Sequence, residues 1–361
     1  MALAEVRVTA TVAVVGGAGS RGVEMALRAC AVAGLTAEPV TDGAQLARAW
    51  RSATAVLVAA SAHAWLTPLP RRALVAVLDD IAGSELDALR LAVQIGAETV
   101  FGPERDPRCM VDWLALAGEP AGPCGIVVGV AGACGGAGAS TLAAAIALRA
   151  GPATRVTLVD ADPTGGGIDV LLGIEPVAGA RWPDLADSRG VVAADALADA
   201  LPHIDGVRVL SSVSGPPRSL TVEAMDAVLS AAIRGSDVVV VDLPRSPDEA
   251  AAHAASRSDR VVLVAPASVR AVASGAAAVA RWSDTGAEVG LVVRHPGPAD
   301  LTPDAVAGAL ALPLLGVVPT DARLANLGDR GRFVRAVRRS PVGAAAAAIA
   351  ALLPTSSRAA A

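Results

Sequence analysis

The chain has 361 residues, 53% of them hydrophobic, which is enough for two domains that each bury their own core. Its formal net charge is -5, with a sequence pI of about 5.4, so the overall balance excludes a broadly polybasic binder of nucleic acid or acidic membrane, and any basic surface must be local. Its 30 basic side chains are all arginines, because the sequence contains no lysine.

The N-terminus opens with Glu5 and Arg7 in a strand-like alternation, without the basic region and apolar core of a signal peptide, so a cytoplasmic chain is expected. Short β-branched runs then alternate with alanine- and leucine-rich helical stretches: Thr11 to Val15, Leu35 to Val40, Ala55 to Ala59, Ala73 to Leu78 and Thr99 to Phe101. Five such strands with intervening helices make a doubly wound α/β domain. Helical sequence around Asp112 to Leu116 follows, and Gly118, Pro120, Gly122 and Pro123 punctuate the chain. This divides it into a first domain at 1–118, a linker at 119–124 and a second domain at 125–355.

The second part repeats the pattern with Ile126 to Val130, Val156 to Val159, Val207 to Leu210, Val238 to Val241, Val261 to Val264, Val289 to Val293 and Leu314 to Val317. These runs are almost continuously apolar, as in a mostly parallel sheet covered on both faces. An alanine-rich helix, Val342 to Leu353, closes the pattern. The uncharged stretch Pro120 to Leu148 is long enough to span a membrane, but its centre, Gly129 to Gly138, is too glycine-rich to stay helical and reads as strand, loop and helix start. Cys30, Cys109, Cys124 and Cys134 lack CxxC spacing and His63, His203, His253 and His295 are dispersed, so neither zinc nor a disulfide framework is expected.

After the strand at Ile126 come Gly132-Ala133-Cys134-Gly135-Gly136-Ala137-Gly138-Ala139-Ser140-Thr141 and then a helical run from Leu142. Glycines let backbone amides converge on phosphate oxygens, the helix N-terminus adds partial positive charge, and Ser140 offers a hydroxyl to magnesium. These residues resemble the deviant Walker A phosphate loop (P-loop) of the ParA/MinD family, KGGxGK[ST]. Gly135, Gly136, Gly138, Ser140 and Thr141 match it. Cys134 stands at the signature lysine, Ala139 at the phosphate-binding lysine and Ala133 at a usual glycine.

Two later segments extend the resemblance. Arg155 to Asp162 (RVTLVDAD) is similar to the family's second motif, implying that Asp162 positions the attacking water and Asp160 supports the magnesium shell. Ser236 to Pro244 (SDVVVVDLP) is similar to the Walker B strand, implying a magnesium role for Asp242. Read alone, each aspartate could equally cap the helix that follows its strand. Asp259 to Pro266 and Leu314 to Asp321 resemble the next core strand and the nucleotide-base loop, which adds Pro319 to the nucleotide-binding set of residues 135–141. At the strand end where the family carries an adenine-contacting asparagine, this chain has Arg294, which joins the nucleotide-binding set although base recognition is not implied.

The resemblance implies ATP or ADP with magnesium. A charged hydrogen bond is worth about 1.5–3 kcal/mol, so losing the phosphate-binding lysine weakens binding by roughly ten- to a hundredfold, with little or no hydrolysis expected. Without lysine anywhere in the sequence, neither this subunit nor an identical partner can supply one, and only arginine can substitute. Arg149, Arg155, Arg245 and Arg270 are the candidates by proximity to the motifs. Cys134 is either a reactive thiol or a small filler at a tight turn.

In the first domain, Gly17, Gly19 and Gly22 satisfy GxGxxG after a strand, a formal NAD fingerprint on a short pattern. The competing reading is a degenerate receiver (CheY-like) domain. Gly16, Gly17 and Ala59 to Ser61 occupy the places of that family's acidic and phospho-accepting residues, so docking rather than phosphorylation is expected and NAD binding is not. A degenerate receiver joined to a GGxGAS loop is similar to the CpaE/TadZ group and its septum site-determining branch. That resemblance implies a homodimer, recruitment of a pilus or secretion ATPase or of division machinery, and polar or septal positioning. Arg330, Arg332, Arg335, Arg338 and Arg339 offer local basic surface for a solvated face, for DNA or for a membrane.

Overall fold

The computed structural model describes residues 10–66, 69–70, 72, 74–80, 85–103, 107–118, 125–186, 188, 192–212, 219–245, 248–295, 301–328 and 330–352. The chain divides into two compact units, Met1–Ala121 and Gly122–Ala361. The expected linker, 119–124, lies outside the described residues.

In the first unit, β1 (Thr11–Val15), β2 (Thr36–Val40), β3 (Ala55–Ala59), β4 (Val75–Leu78) and β5 (Thr99–Phe101) form one sheet in the order β2-β1-β3-β4-β5. Every pairing is parallel. β3 and β4 are buried along their whole length, which explains their continuous apolar sequence. Helices Arg21–Val32 and Gly43–Ser52 begin where Ser20 and Asp42 accept first-turn amides from Val23 and Gln45. Between β3 and β4 a 3-10 turn, Ala60–Trp65, replaces a full crossover helix. The expected helix around Asp112 lies within Pro107–Gly118.

The second unit holds β6 (Ile126–Gly132), β7 (Val156–Asp160), β8 (His203–Ile204), β9 (Val207–Leu210), β10 (Val238–Asp242), β11 (Arg260–Pro266), β12 (Glu288–His295) and β13 (Leu314–Pro319). Their order is β13-β12-β11-β6-β10-β7-β9-β8, parallel except for the β8–β9 hairpin. Alternate residues enter two cores: Val239 and Val241 pack on one face of the sheet and Val240 on the other. The helix Ala139–Ala150 is buried from Leu142 to Leu148. Such a helix is apolar all round because it has no solvent face: it packs on β6, β7 and β10 and beneath helix Pro341–Ala351. That last helix buries Val342, Ala346 and Ile349, and a Cβ on its Gly343 would run into the Val337 carbonyl, so only glycine fits there. The end of the expected helix, Leu353, lies outside the described residues.

Candidate functional site

The glycine segment sits at the carboxyl end of β6, a central strand flanked by β10 and β11. This is the edge where parallel α/β sheets place ligands. Gly136 and Gly138 hold φ values of +70° and +99°, a region L side chains avoid, so their identity is dictated by the turn itself. Cys134 accepts a bond from the Ala137 amide at 3.2 Å and closes the loop. Gly138 is the N-cap of helix Ala139–Ala150 and has no side chain to cap it, so the first-turn amides face the loop, where an anion can accept them. Cys134 is half-buried against the core and Ser140 is exposed at the mouth.

Three aspartates surround this cradle in different states. Asp242 ends β10 in register with Asp160 of β7, so two carboxylates stand side by side. Burial pushes Asp242 up to about 8, the charge of Asp160 adds to this, and a hydrogen bond from Ser140 pulls the other way. A serine hydroxyl bonded to a strand-end aspartate at a glycine loop is a donor set suited to hydrated magnesium. Among the described residues no group of three or more His, Cys, Asp or Glu is arranged to hold a metal alone, so an ion here needs phosphate oxygens as well.

Asp160 is engaged otherwise. Its carboxylate accepts the amides of Asp162 (3.0 Å), Ile168 (3.2 Å) and Ser212 (3.2 Å), with the Ser211 hydroxyl at 3.5 Å. Burial raises it to about 6 against these donors. It acts as a staple between the loops after β7 and β9. The network continues inward: Ser211 donates to Asp169 at 3.0 Å, and Asp169 pairs with buried Arg181 at 2.8 Å. Asp162 closes an Asx turn, one oxygen accepting both the amide (2.9 Å) and the hydroxyl (2.7 Å) of Thr164.

The structure sorts the arginine candidates. Arg155 pairs with Asp237 at 2.8 Å at the amino ends of β7 and β10, the wrong edge of the sheet. Arg149 occupies the last turn of the loop's helix, the end away from the loop. Arg270 is exposed in the first turn of helix Val269–Ser283. Arg245 does approach: its Nη1 lies 3.8 Å from where a Cβ on Gly135 would stand. Arg294, read from the sequence as taking the place of a base-contacting residue, turns back instead and donates from Nη1 to the Gly136 carbonyl at 2.9 Å. Between loop and β13 lies a cleft of about 180 Å³ lined by Ala137, Gly138, Thr141, Arg294, Pro319 and Asp321.

In the first unit the helix N-terminus after the GxGxxG segment faces a carboxylate. Asp80, following β4, accepts the hydroxyls of Ser20 (2.7 Å) and Ser61 (2.6 Å) and the Ser61 amide (3.0 Å). A fixed negative charge there disfavours pyrophosphate. Asp79 and Asp80 escape a sequence reading that seeks acidic residues after β1 and β3. The five arginines from Arg330 to Arg339 are all exposed, with Arg338 paired to Asp205 at 3.2 Å. No helix among the described residues is long and apolar enough to cross a membrane.

A family model described as an Rv3660c-like, CheY-like N-terminal domain matches residues 23–124. The ParA family ATPase of Chlorobium tepidum TLS superposes with a TM-score of 0.55 at 18% identity, over 64% of this chain and all of its own. The septum site-determining protein MinD of Pyrococcus horikoshii OT3, solved with Mg-ADP, gives 0.52 at 20% identity, over 63% of this chain and 94% of its own. At these identities the likeness establishes the fold: a CheY-like domain followed by a ParA/MinD-like α/β domain. The uncharacterized protein Rv3660c of Mycobacterium tuberculosis (strain ATCC 25618 / H37Rv) is 39% identical over 316 residues, spanning 85% of this chain and 87% of the relative. By that identity and coverage, the chain belongs to the Rv3660c-like family, whose N-terminal domain is CheY-like.

Proposed function

We propose that this protein is a nucleotide-responsive positioning or scaffold protein, of the CpaE/TadZ-like, deviant Walker A kind, that binds ATP or ADP with magnesium weakly and hydrolyses it slowly or not at all. The observation that carries the reading is a glycine cradle at the end of β6, with the buried Asp242 beside Ser140, in a chain without lysine. Amides of residues 135–141 hold the phosphates, while Ser140 and Asp242 hold the magnesium shell, with Asp160 supporting from the neighbouring strand beside Asp242. Bound magnesium supplies charge neutralisation at the phosphates. Asp162 keeps one oxygen outside its Asx turn for a water. Pro319 walls the base side of the cleft.

In this reading residues 1–118 form a docking domain, 119–124 a linker and 125–355 the switch domain. The chain acts as a cytoplasmic homodimer, recruited to a pole or septum, whose partner is a pilus or secretion ATPase or a division protein. MinD, one fold relative, has been solved with MinC as a cell-division complex. The exposed arginines of Arg330 to Arg339 add a secondary contact for DNA or membrane. The test is titration of the full chain with ATP, ADP and NAD, with self-association and magnesium-dependent phosphate release followed in parallel. Weak ATP and ADP binding without appreciable release is expected. Turnover matching an intact ParA-type enzyme, abolished by Asp162→Ala, would refute it.

A second reading, an active ATPase in which arginine replaces both lysines, is favoured by the approach of Arg294 and Arg245 to the loop. Phosphate release that depends on those arginines distinguishes it.

A further inference from the structure

A glycine loop beside three aspartates presents a poor field for a polyphosphate unless a cation is near. Sequence restricts that cation to arginine, and geometry narrows it further. Arg294 is the penultimate residue of β12, two strands from β6. It reaches over the end of β11 to bond the Gly136 carbonyl, and its Nη1 lies 3.7 Å from where a Cβ on Gly138 would stand. A Cβ at Gly138 would lie in ordinary contact with the guanidinium, so what a side chain there would strain is the positive φ. The Nε of Arg294 is enclosed and has no acceptor among the described residues. The enclosed Nε cannot itself meet a ligand, so it is the Nη donors that remain for an anion in the cleft.

We propose that Arg294 is the phosphate-binding cation of this loop, taking over from β12 the task that the lysine position, Ala139, no longer performs. The inference rests on the nucleotide-binding reading above. A planar guanidinium offers paired N–H donors matched to two phosphate oxygens, and one bond to a glycine carbonyl leaves most of them for the ligand. Binding transfers Nη1 from the Gly136 carbonyl to a phosphate oxygen, and the loop amides converge on the same group. Arg245 stands on the opposite flank, near Gly135, as a weaker outer contact. The ligand class is set by the phosphates rather than the base, because the residue placed to read the base has turned to the loop. Nucleoside diphosphates, nucleoside triphosphates and inorganic triphosphate all qualify.

The test measures binding of ADP, inorganic triphosphate and adenosine to the full chain by calorimetry, with thermal unfolding of every variant. Arg294→Ala and Arg294→Gln are expected to lose about ten- to a hundredfold in affinity for ADP and for triphosphate alike. Arg294→Lys should keep most of it. Adenosine binding should not change, nor should any affinity in Arg149→Ala, at the far end of the loop's helix. Arg294→Gln keeps a polar amide at the strand end while removing the charge and the reach of the guanidinium, so it remains informative if the alanine variant unfolds. Wild-type affinity for ADP and triphosphate in Arg294→Gln overturns the proposal. Failure of the unaltered chain to bind either probe overturns the nucleotide-binding reading on which it stands.

Discussion

Replacing Asp242 by asparagine isolates what it costs to keep a carboxyl at the end of β10. The side chain is 6% exposed, in register with Asp160 and bonded by Ser140. Burial first, and Asp160 next, push it up to about 8 from an ordinary value of 3.8. Between those limits the folded chain holds a proton that the unfolded chain has lost. The stabilisation from that proton is fully present below about 3.8 and is lost as the pH rises through about 8. Each pH unit within the window removes at most about 1.4 kcal/mol, and partial relaxation or water penetration lowers the figure without changing its sign. In a domain of this size 1 kcal/mol moves the melting temperature by about 2–4 °C. The asparagine side chain keeps the shape and cannot titrate. Thermal unfolding of both proteins from about pH 5 to about pH 9, with chelator and without nucleotide, should show the Asp242→Asn variant gaining on the wild type as the pH rises. The same variant should lose magnesium-dependent tightening of ADP binding. Parallel stability profiles across the range, or an asparagine variant that loses ground above about pH 8, would refute the buried-carboxyl account.

Asp160→Asn turns one carboxylate oxygen into a donor facing donors, so at least one of the amides of Asp162, Ile168 and Ser212 loses its acceptor. Urea unfolding should register a loss of about 1–3 kcal/mol, and a neutral outcome would show that the staple bears no weight. Arg181→Met strands Asp169 without its cation; a loss of about 3–5 kcal/mol is expected, partly recovered by adding Asp169→Asn, and an effect below about 1 kcal/mol contradicts the buried pair. Ala139→Lys restores the lost cation and should tighten ADP binding roughly tenfold or more. The gain should be larger with Arg294→Ala than without it, and equal gains in both backgrounds would mean that the two positions do not serve the same phosphates.

Much of the architecture was readable because both cores are built from β-branched runs whose length and spacing admit little else. Val238 to Val241 can hardly be anything but a strand covered on both faces. The hairpin β8–β9 was missed although its turn, Asp205-Gly206 with φ values of +49° and +83°, is the commonest kind of signal for a two-residue reversal. A two-residue strand is too short for periodicity to reveal. Sequence located the glycine loop and its aspartates, and the resemblance gave them duties, but their surroundings were not legible. Asp160 and Asp242 look alike in a motif, and only the packing shows that one is saturated by amides while the other is bonded by Ser140. For Arg294 the motif implied a place beside the nucleotide but not a contact. Its position implies the base pocket, but a long side chain at a strand end can turn either way, and the Gly136 carbonyl decides it. Asp80 meets Ser20 and Ser61 across 60 and 19 residues of sequence, a distance no local pattern spans.

The double attachment of the segment after β7 has a mechanical consequence. Its backbone is held from both sides: the Asp162 amide by Asp160 and the Asp162 carbonyl by the Ser212 hydroxyl at 3.0 Å. Trp182 anchors it from below through the Asp160 carbonyl. The β7 side of the glycine loop is therefore stiff. The cleft lies on the other side of the loop, where it is lined by a single arginine on a strand end together with the turn from Pro319 to Leu324. A ligand entering that cleft would meet β12, β13 and helix Ala322–Gly328 rather than the stapled β7 segment.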